Sequence, residues 1–205
     1  MESVWERIFK EGGTVFKDSH PEMKSIAALF KRKSCERILD IGCGTGRHTV
    51  YLAQNGFEVY GLDSSPTALK YTRDMLSSHD LSAHLTLHDM VSLPYDDDYV
   101  DAVICIQVIH HNTMDKIRKT VQEINRVLKM NGLVWITVPI SKNEPSTHQK
   151  EIEPDTFIPQ DGLERGLPHH YFTRQELILL FEEFTVINFH VAPVNHYSLL
   201  ARKNP

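Results

Sequence analysis

A chain of 205 residues, 41% hydrophobic and 24% charged, has the length and composition of one ordinary globular domain, able to bury a core without disulfide staples. Its 22 Lys and Arg against 27 Asp and Glu leave a net charge of −5, which argues against a general electrostatic grip on nucleic acid; the run "KRKSCER" reads as a solvated basic turn. Cys35, Cys43 and Cys105 have neither zinc-site nor redox spacing, the N-terminus lacks a signal-peptide core, and "AVICI" and "LILLF" are too short to span a bilayer, so a soluble cytoplasmic protein without a membrane partner is expected.

Residues 1–33 read as helical. "RILDI" (37–41) is a short β-rich run, followed by a helix from Gly46 to about Asn55, and "FEVYGLD" (57–63) is a second strand. Ser65-Pro66 supplies an N-cap and a Pro at the first helical position, opening a helix to about Ser77. "HLTLH" (84–88) and "YVDAVICIQV" (99–108) are strands three and four, the latter apolar enough for burial on both faces. Ile117, Val121, Ile124 and Leu128 form one helical stripe, and Asn131-Gly132 is expected to cap that helix before a fifth strand, "LVWITV" (133–138). Thr173 and Glu176 form a capping box ahead of "LILLF", and "TVINFHVAPVNHYSLLAR" (185–202) reads as two antiparallel strands with a Pro-containing turn between them.

Alternating strands and helices give an α/β class: a doubly wound, mostly parallel sheet covered on both faces. The expected organisation is a single domain. It comprises an N-terminal helical cap (1–33), a cofactor-binding core (34–140), a long substrate or lid connection (141–172), and a C-terminal helix and hairpin (173–205). A connection of that length in a compact domain usually carries function.

The stretch "ILDIGCGTGRHT" (38–49) places Gly42, Gly44 and Gly46 at alternate positions directly after strand one, where doubly wound sheets bind ligands. There they allow a tight turn and exposed N–H groups at a helix N-terminus. Asp63 ends strand two, where a carboxylate can accept both hydroxyls of a ribose, so an adenosine-containing ligand leads. NAD is disfavoured: Arg47 stands at the position of the third fingerprint glycine, and Asp40 would repel a pyrophosphate. A ligand with a cationic amine, a ribose and no phosphate, such as S-adenosyl-L-methionine, fits better.

"LDIGCGTG" followed by "VYGLD" resembles motif I and the acidic loop of class I S-adenosylmethionine-dependent methyltransferases. The likeness continues through "LHDMVSLPYDDDYVDAVICIQVIHH" and "QEINRVLKMNGLVWITV", covering about residues 36–140. The general look is of the small-molecule type, with some likeness to the tellurite-resistance enzymes. The resemblance implies a seven-stranded sheet of order 3-2-1-4-5-7-6 with the last strand antiparallel. It implies that Asp40 and the backbone of Gly42, Cys43, Gly44, Thr45 and Gly46 hold the methionine portion, and that Asp63, with Ser64 beside it, holds the ribose. Asp89 would accept from the adenine amino group, Met90 would cover the ring, and Gln107 and Val108 would line the sulfonium side. The product would be S-adenosyl-L-homocysteine.

Several of these residues also have plainer readings. Asp89 alone could cap a turn, Asp96–Asp98 is most simply a solvated loop, and Tyr51 and Phe57 read as packing residues. No redox or nucleophilic role is assigned to Cys43.

Methyl transfer is an in-line displacement at an activated carbon, so a protein mainly positions the acceptor, excludes water and manages a proton. His110-His111 follow strand four, and His169-His170-Tyr171 end the long connection. His110 or His170 is the candidate to contact the acceptor, with Tyr171 shaping the pocket. Adjacent side chains are expected to point apart, so each histidine pair offers one ligand and no metal site is assigned. Trp5, Phe16 and His20 could close over the cofactor, since aromatic faces favour a sulfonium. The preferred acceptor is a small molecule, with nucleic acid disfavoured and a monomer or homodimer expected. The rivals are a protein or RNA acceptor, a non-catalytic cofactor-binding subunit, and an NAD-dependent oxidoreductase.

Overall fold

The computed structural model describes residues 3–14, 18–140, 148–193 and 195–205. In chain order the elements are α1 (Val4–Gly12), α2 (Met23–Arg32), β1 (Arg37–Ile41), α3 (Arg47–Gln54), β2 (Glu58–Asp63), α4 (Pro66–Ser78), β3 (His84–Leu87) and β4 (Val100–Ile106). They continue with α5 (Met114–Val127), β5 (Leu128–Pro139), β6 (Gln149–Glu153), β7 (Thr156–Pro159), β8 (His169–His170), α6 (Arg174–Leu180), β9 (Phe184–Val191) and β10 (His196–Lys203).

Seven strands make the main sheet in the order β3-β2-β1-β4-β5-β10-β9. β1 pairs parallel with β2 and β4, and β10 pairs antiparallel with both β5 and β9, so the expected order and the reversed last strand hold. Alternation along the strands explains why both faces need cover. In β4, Val103 and Cys105 face a core shared with α5 and α6, whereas Ala102, Ile104 and Ile106 join Met23, Phe30 and Leu52 of α2 and α3. Trp135 is fully buried in the second core, and its indole N–H donates to Ser198 Oγ at 3.0 Å.

Helix starts follow local chemistry. Ser65 Oγ accepts from Ala68 N at 3.0 Å with Pro66 at the first helical position, and Thr173 Oγ1 accepts from Glu176 N at 3.2 Å. The end of α5 corrects the sequence expectation. The helix stops at Val127, Leu128 is already extended and pairs with Val100, and Asn131 (φ 63°) shapes a bulge inside β5 rather than a helix cap. Fully buried Leu128 gains more by joining the sheet core than by extending the helix.

The long connection is not structureless. β6, β7 and β8 form a separate three-stranded antiparallel sheet. His170 N–H donates to the His110 carbonyl at 2.8 Å, and Glu153 Oε1 accepts from Met114 N at 2.6 Å at the start of α5, which fastens this small sheet to the C-terminal end of β4. Among the described residues, no helix is long and apolar enough to cross a membrane.

Candidate active site

A cavity of about 850 Å³ opens at the C-terminal ends of the parallel strands. Its floor is the β1–α3 loop. Gly42 (φ 68°) is required by the chain itself, because a Cβ there would lie 2.4 Å from Val108 Cγ1, at the end of β4. Gly46 (φ 92°) has the same constraint from α4, where a Cβ would meet Thr72 Cγ2 at 2.9 Å. The glycines therefore seat the loop between two neighbouring elements, leaving its backbone against the cavity.

Of the expected cofactor-binding residues, Gly42, Cys43, Gly44, Thr45, Asp63, Ser64, Asp89, Met90, Gln107 and Val108 line this cavity. Asp63 also organises the floor: Oδ2 accepts from Gly44 N at 2.8 Å and Oδ1 from Ser65 N at 2.9 Å. Burial raises its carboxyl above the ordinary range while those N–H donors pull it back. One Asp89 oxygen accepts from Val91 N at 3.1 Å, so the turn-capping reading holds alongside the residue's place in the wall. Gln107 adopts φ 61°, a strained conformation at the mouth that its sequence did not announce.

Asp40 and Gly46 are not in the wall. Asp40 lies behind the loop, 1% exposed, accepting from Thr49 Oγ1 at 2.7 Å. Burial pushes its carboxyl up to about 7, with the Asp63 charge adding and Arg47 opposing. Cys43 is buried against β2, and its thiol is pushed well above its ordinary value by burial and by Asp63 and Asp40.

The opposite end of the cavity is built from distant segments. His110, His111 and His169 converge there with Trp5 of α1, and Tyr171 and Glu164 also line the cavity, while Phe9 of α1 reaches the glycine loop beside Gly44. The expectation that neighbouring histidines diverge holds for one pair only. In β8, His169 faces the cavity, while His170 turns away to Thr156 Oγ1 (2.7 Å) and Glu176 Oε2 (3.2 Å). His170 therefore does not reach the cavity, and His169 stands in its place. His110 and His111 follow the other course: their rings lie 3.8 Å apart, tilted by 40°. Burial, then neighbouring histidines, holds His110 well below its ordinary value, and burial and His169 hold His111 at about 3. Both are neutral imidazoles near neutrality and weak proton acceptors.

The roof is α1. Trp5 meets the His111 ring edge-on at 4.9 Å and stacks on Phe9 at 5.7 Å. Glu6 fixes the helix by accepting from Ser65 Oγ, Thr67 Oγ1 and Thr67 N at the start of α4. Burial works against this charge, yet the hydrogen bonds prevail and hold the carboxyl at about 2. Arg7 donates to the carbonyls of Leu163 and Arg165, tying the roof to the small sheet's connection. His20 packs against Trp135 rather than over the cavity, and Phe16 lies outside the described residues.

Residues 38–132 match the family model described as a methyltransferase domain. That stretch of the chain is therefore similar to a methyltransferase domain. An Arabidopsis thaliana tRNA (carboxymethyluridine(34)-5-O)-methyltransferase is 35% identical over 126 residues, 60% of this chain and 29% of that protein. A Clavibacter sepedonicus demethylmenaquinone methyltransferase is 34% identical over 125 residues, 58% of this chain and 50% of that one. The chain thus spans half or less of the length of these curated relatives. Among solved structures, an S-adenosylmethionine-dependent methyltransferase from Methanosarcina mazei superimposes with a TM-score of 0.77 at 22% identity, covering 91% of this chain and 99% of that one. The matched span holds the glycine loop, Asp63, Asp89 and the His110-His111 pair; α1 and the 148–172 segment lie outside it.

Proposed function

We propose that the protein binds S-adenosylmethionine and transfers its methyl group to a small-molecule acceptor. The observation that carries this reading is one continuous cavity with two unlike ends. A glycine loop with Asp63 and Asp89 forms one end, and a roofed, histidine-lined chamber forms the other. Its volume falls within the usual range for small-molecule sites, about 300–1,000 Å³. The loop backbone faces the methionine portion, with Asp40 acting on its amine from behind the loop, while Asp63 and Ser64 face the ribose, and Asp89 and Met90 the adenine. Gln107 and Val108 lie at the sulfonium, while His110 and Tyr171 bound the acceptor. The roles follow the resemblance to class I methyltransferases, and all of these residues except Asp40 line the cavity. Free, buried Cys35, Cys43 and Cys105 suit a reducing cytoplasm.

An RNA acceptor has one observation in its favour, the 35% identity to a tRNA methyltransferase. Against it stand the net charge of −5 and the roof of α1 across the chamber.

Calorimetric titration with S-adenosylmethionine, S-adenosylhomocysteine and NAD tests the cofactor. Binding of the first two is expected, weakened about tenfold or more in Asp63→Asn. Binding of NAD alone would sink the reading. Release of S-adenosylhomocysteine in a screen of small acceptors and of tRNA then separates the two substrate classes.

A further inference from the structure

The chamber holds three histidines brought together from two segments more than fifty positions apart in sequence. His110, His111 and His169 each offer one ring nitrogen, and these nitrogens all lie within 4.8 Å of one another. All three residues are over nine-tenths buried yet line the cavity.

Two details go beyond proximity. Nδ1 of His110 and Nδ1 of His111 are buried with no hydrogen-bond partner among the described residues, an unfavourable state for a polar atom. The ring of His111 donates instead to the Pro168 carbonyl, which fixes its tautomer and leaves Nδ1 as a lone-pair donor. An imidazole held by a backbone carbonyl through one nitrogen, with the other free to coordinate, is the usual arrangement around a bound metal.

We propose that His110, His111 and His169 bind a divalent transition-metal ion, zinc by ligand type, at the acceptor end of the cavity. Tetrahedral coordination at about 2.0–2.1 Å would bring the nitrogens to about 3.3 Å from one another, a closure within reach of small side-chain rotations. Three protein nitrogens and a fourth position facing the cavity are the pattern of an open, reactive site rather than a closed structural one. Glu164, on the connection between β7 and β8, places its carboxylate 3.5 Å from His169 Nε2. The role that follows rests on the methyltransferase reading; the ion site itself does not. The ion supplies a Lewis acid that holds an acceptor through a hydroxyl, carboxylate or thiol, where the neutral histidines alone are weak bases.

The test uses the full chain, stripped with a chelator and titrated with zinc chloride by calorimetry and with cobalt chloride by visible absorption. A single ion per chain and an intense tetrahedral cobalt spectrum are expected. His111→Asn and His169→Gln, checked for folding by circular dichroism, should each weaken zinc by about tenfold or more and abolish that spectrum. Absence of binding, or unchanged affinity and spectrum in both variants, overturns the proposal. Should the variants fail to fold, a weak octahedral cobalt spectrum in the wild type overturns it and a tetrahedral one supports it. Titration of the wild type with S-adenosylhomocysteine runs alongside. Cofactor bound without zinc removes only the ion site, whereas zinc bound without cofactor leaves the site standing and removes the methyltransferase reading.

Discussion

The two ends of the cavity are made differently. The glycine-loop end comes from consecutive turns after β1 and β2, with Asp63 tying Gly44 and Ser65 within a short stretch of chain. The histidine end gathers α1, the segment after β4 and the small β6–β8 sheet, fastened by a few hydrogen bonds at each junction, such as His170 N–H to the His110 carbonyl. The first end is set by backbone geometry and tolerates little change. The second is a set of docked parts that can be loosened individually.

The largest expected effect falls on the first end. Gly42→Ala combines a left-handed φ with a Cβ clash at Val108 and should lower stability by about 2–5 kcal/mol in urea titrations, removing cofactor binding with it. A smaller and more selective effect follows from Glu6→Gln, which weakens the charge-assisted hold of α1 on α4. Cofactor dissociation by stopped-flow should quicken about tenfold while the unfolding midpoint moves little, and equal loss of both would erase the contrast between the ends. The same carboxyl carries a pH signature. Lowered from 4.5 to about 2 on folding, Glu6 adds stability above pH 4.5 that is lost as pH falls toward 2.

Asp40 predicts the opposite dependence. Raised from 3.8 to about 7, it favours the apo fold below pH 3.8, and that contribution fades as pH climbs through 7. The anion formed at higher pH attracts a cationic amine, so cofactor affinity should rise several-fold, up to about tenfold, from pH 6 to pH 8. A flat profile in Asp40→Asn and a sloping one in the wild type is the expected pair. Lys119→Ala, which removes an exposed pair with Asp115 on α5 (2.9 Å), should change stability by no more than about 0.5 kcal/mol and leave both ends intact.

The same division governs what the sequence makes legible. β1, β2, α4 and the sheet order follow from local alternation, a Ser-Pro start and glycine spacing, all readable within a few residues. The small sheet is not, because β8 has only two residues and its pairing depends on chain brought in from β7. A shift of one position also exchanges His169 for His170, since successive strand residues face opposite sides. The close approach of His110 to His111 escapes that alternation because both lie beyond the end of β4. Asn131 was legible as a left-handed residue but not as a bulge, for which the demand of Leu128 on the sheet core had to be known.

Cys43 lies in the loop that lines a cavity proposed to hold a methylating agent, with its sulfur packed toward Gly61 of β2. An ionised thiol there would be a competing acceptor, and the protein would alkylate itself. Its burial against β2, with Asp63 and Asp40 nearby, keeps it in the protonated, unreactive form. Iodoacetamide should accordingly leave Cys43 unlabelled in the native state and modify it only on unfolding. The carboxylates that would draw in the cofactor's positive charge thereby also shield the chain from the cofactor's reactivity.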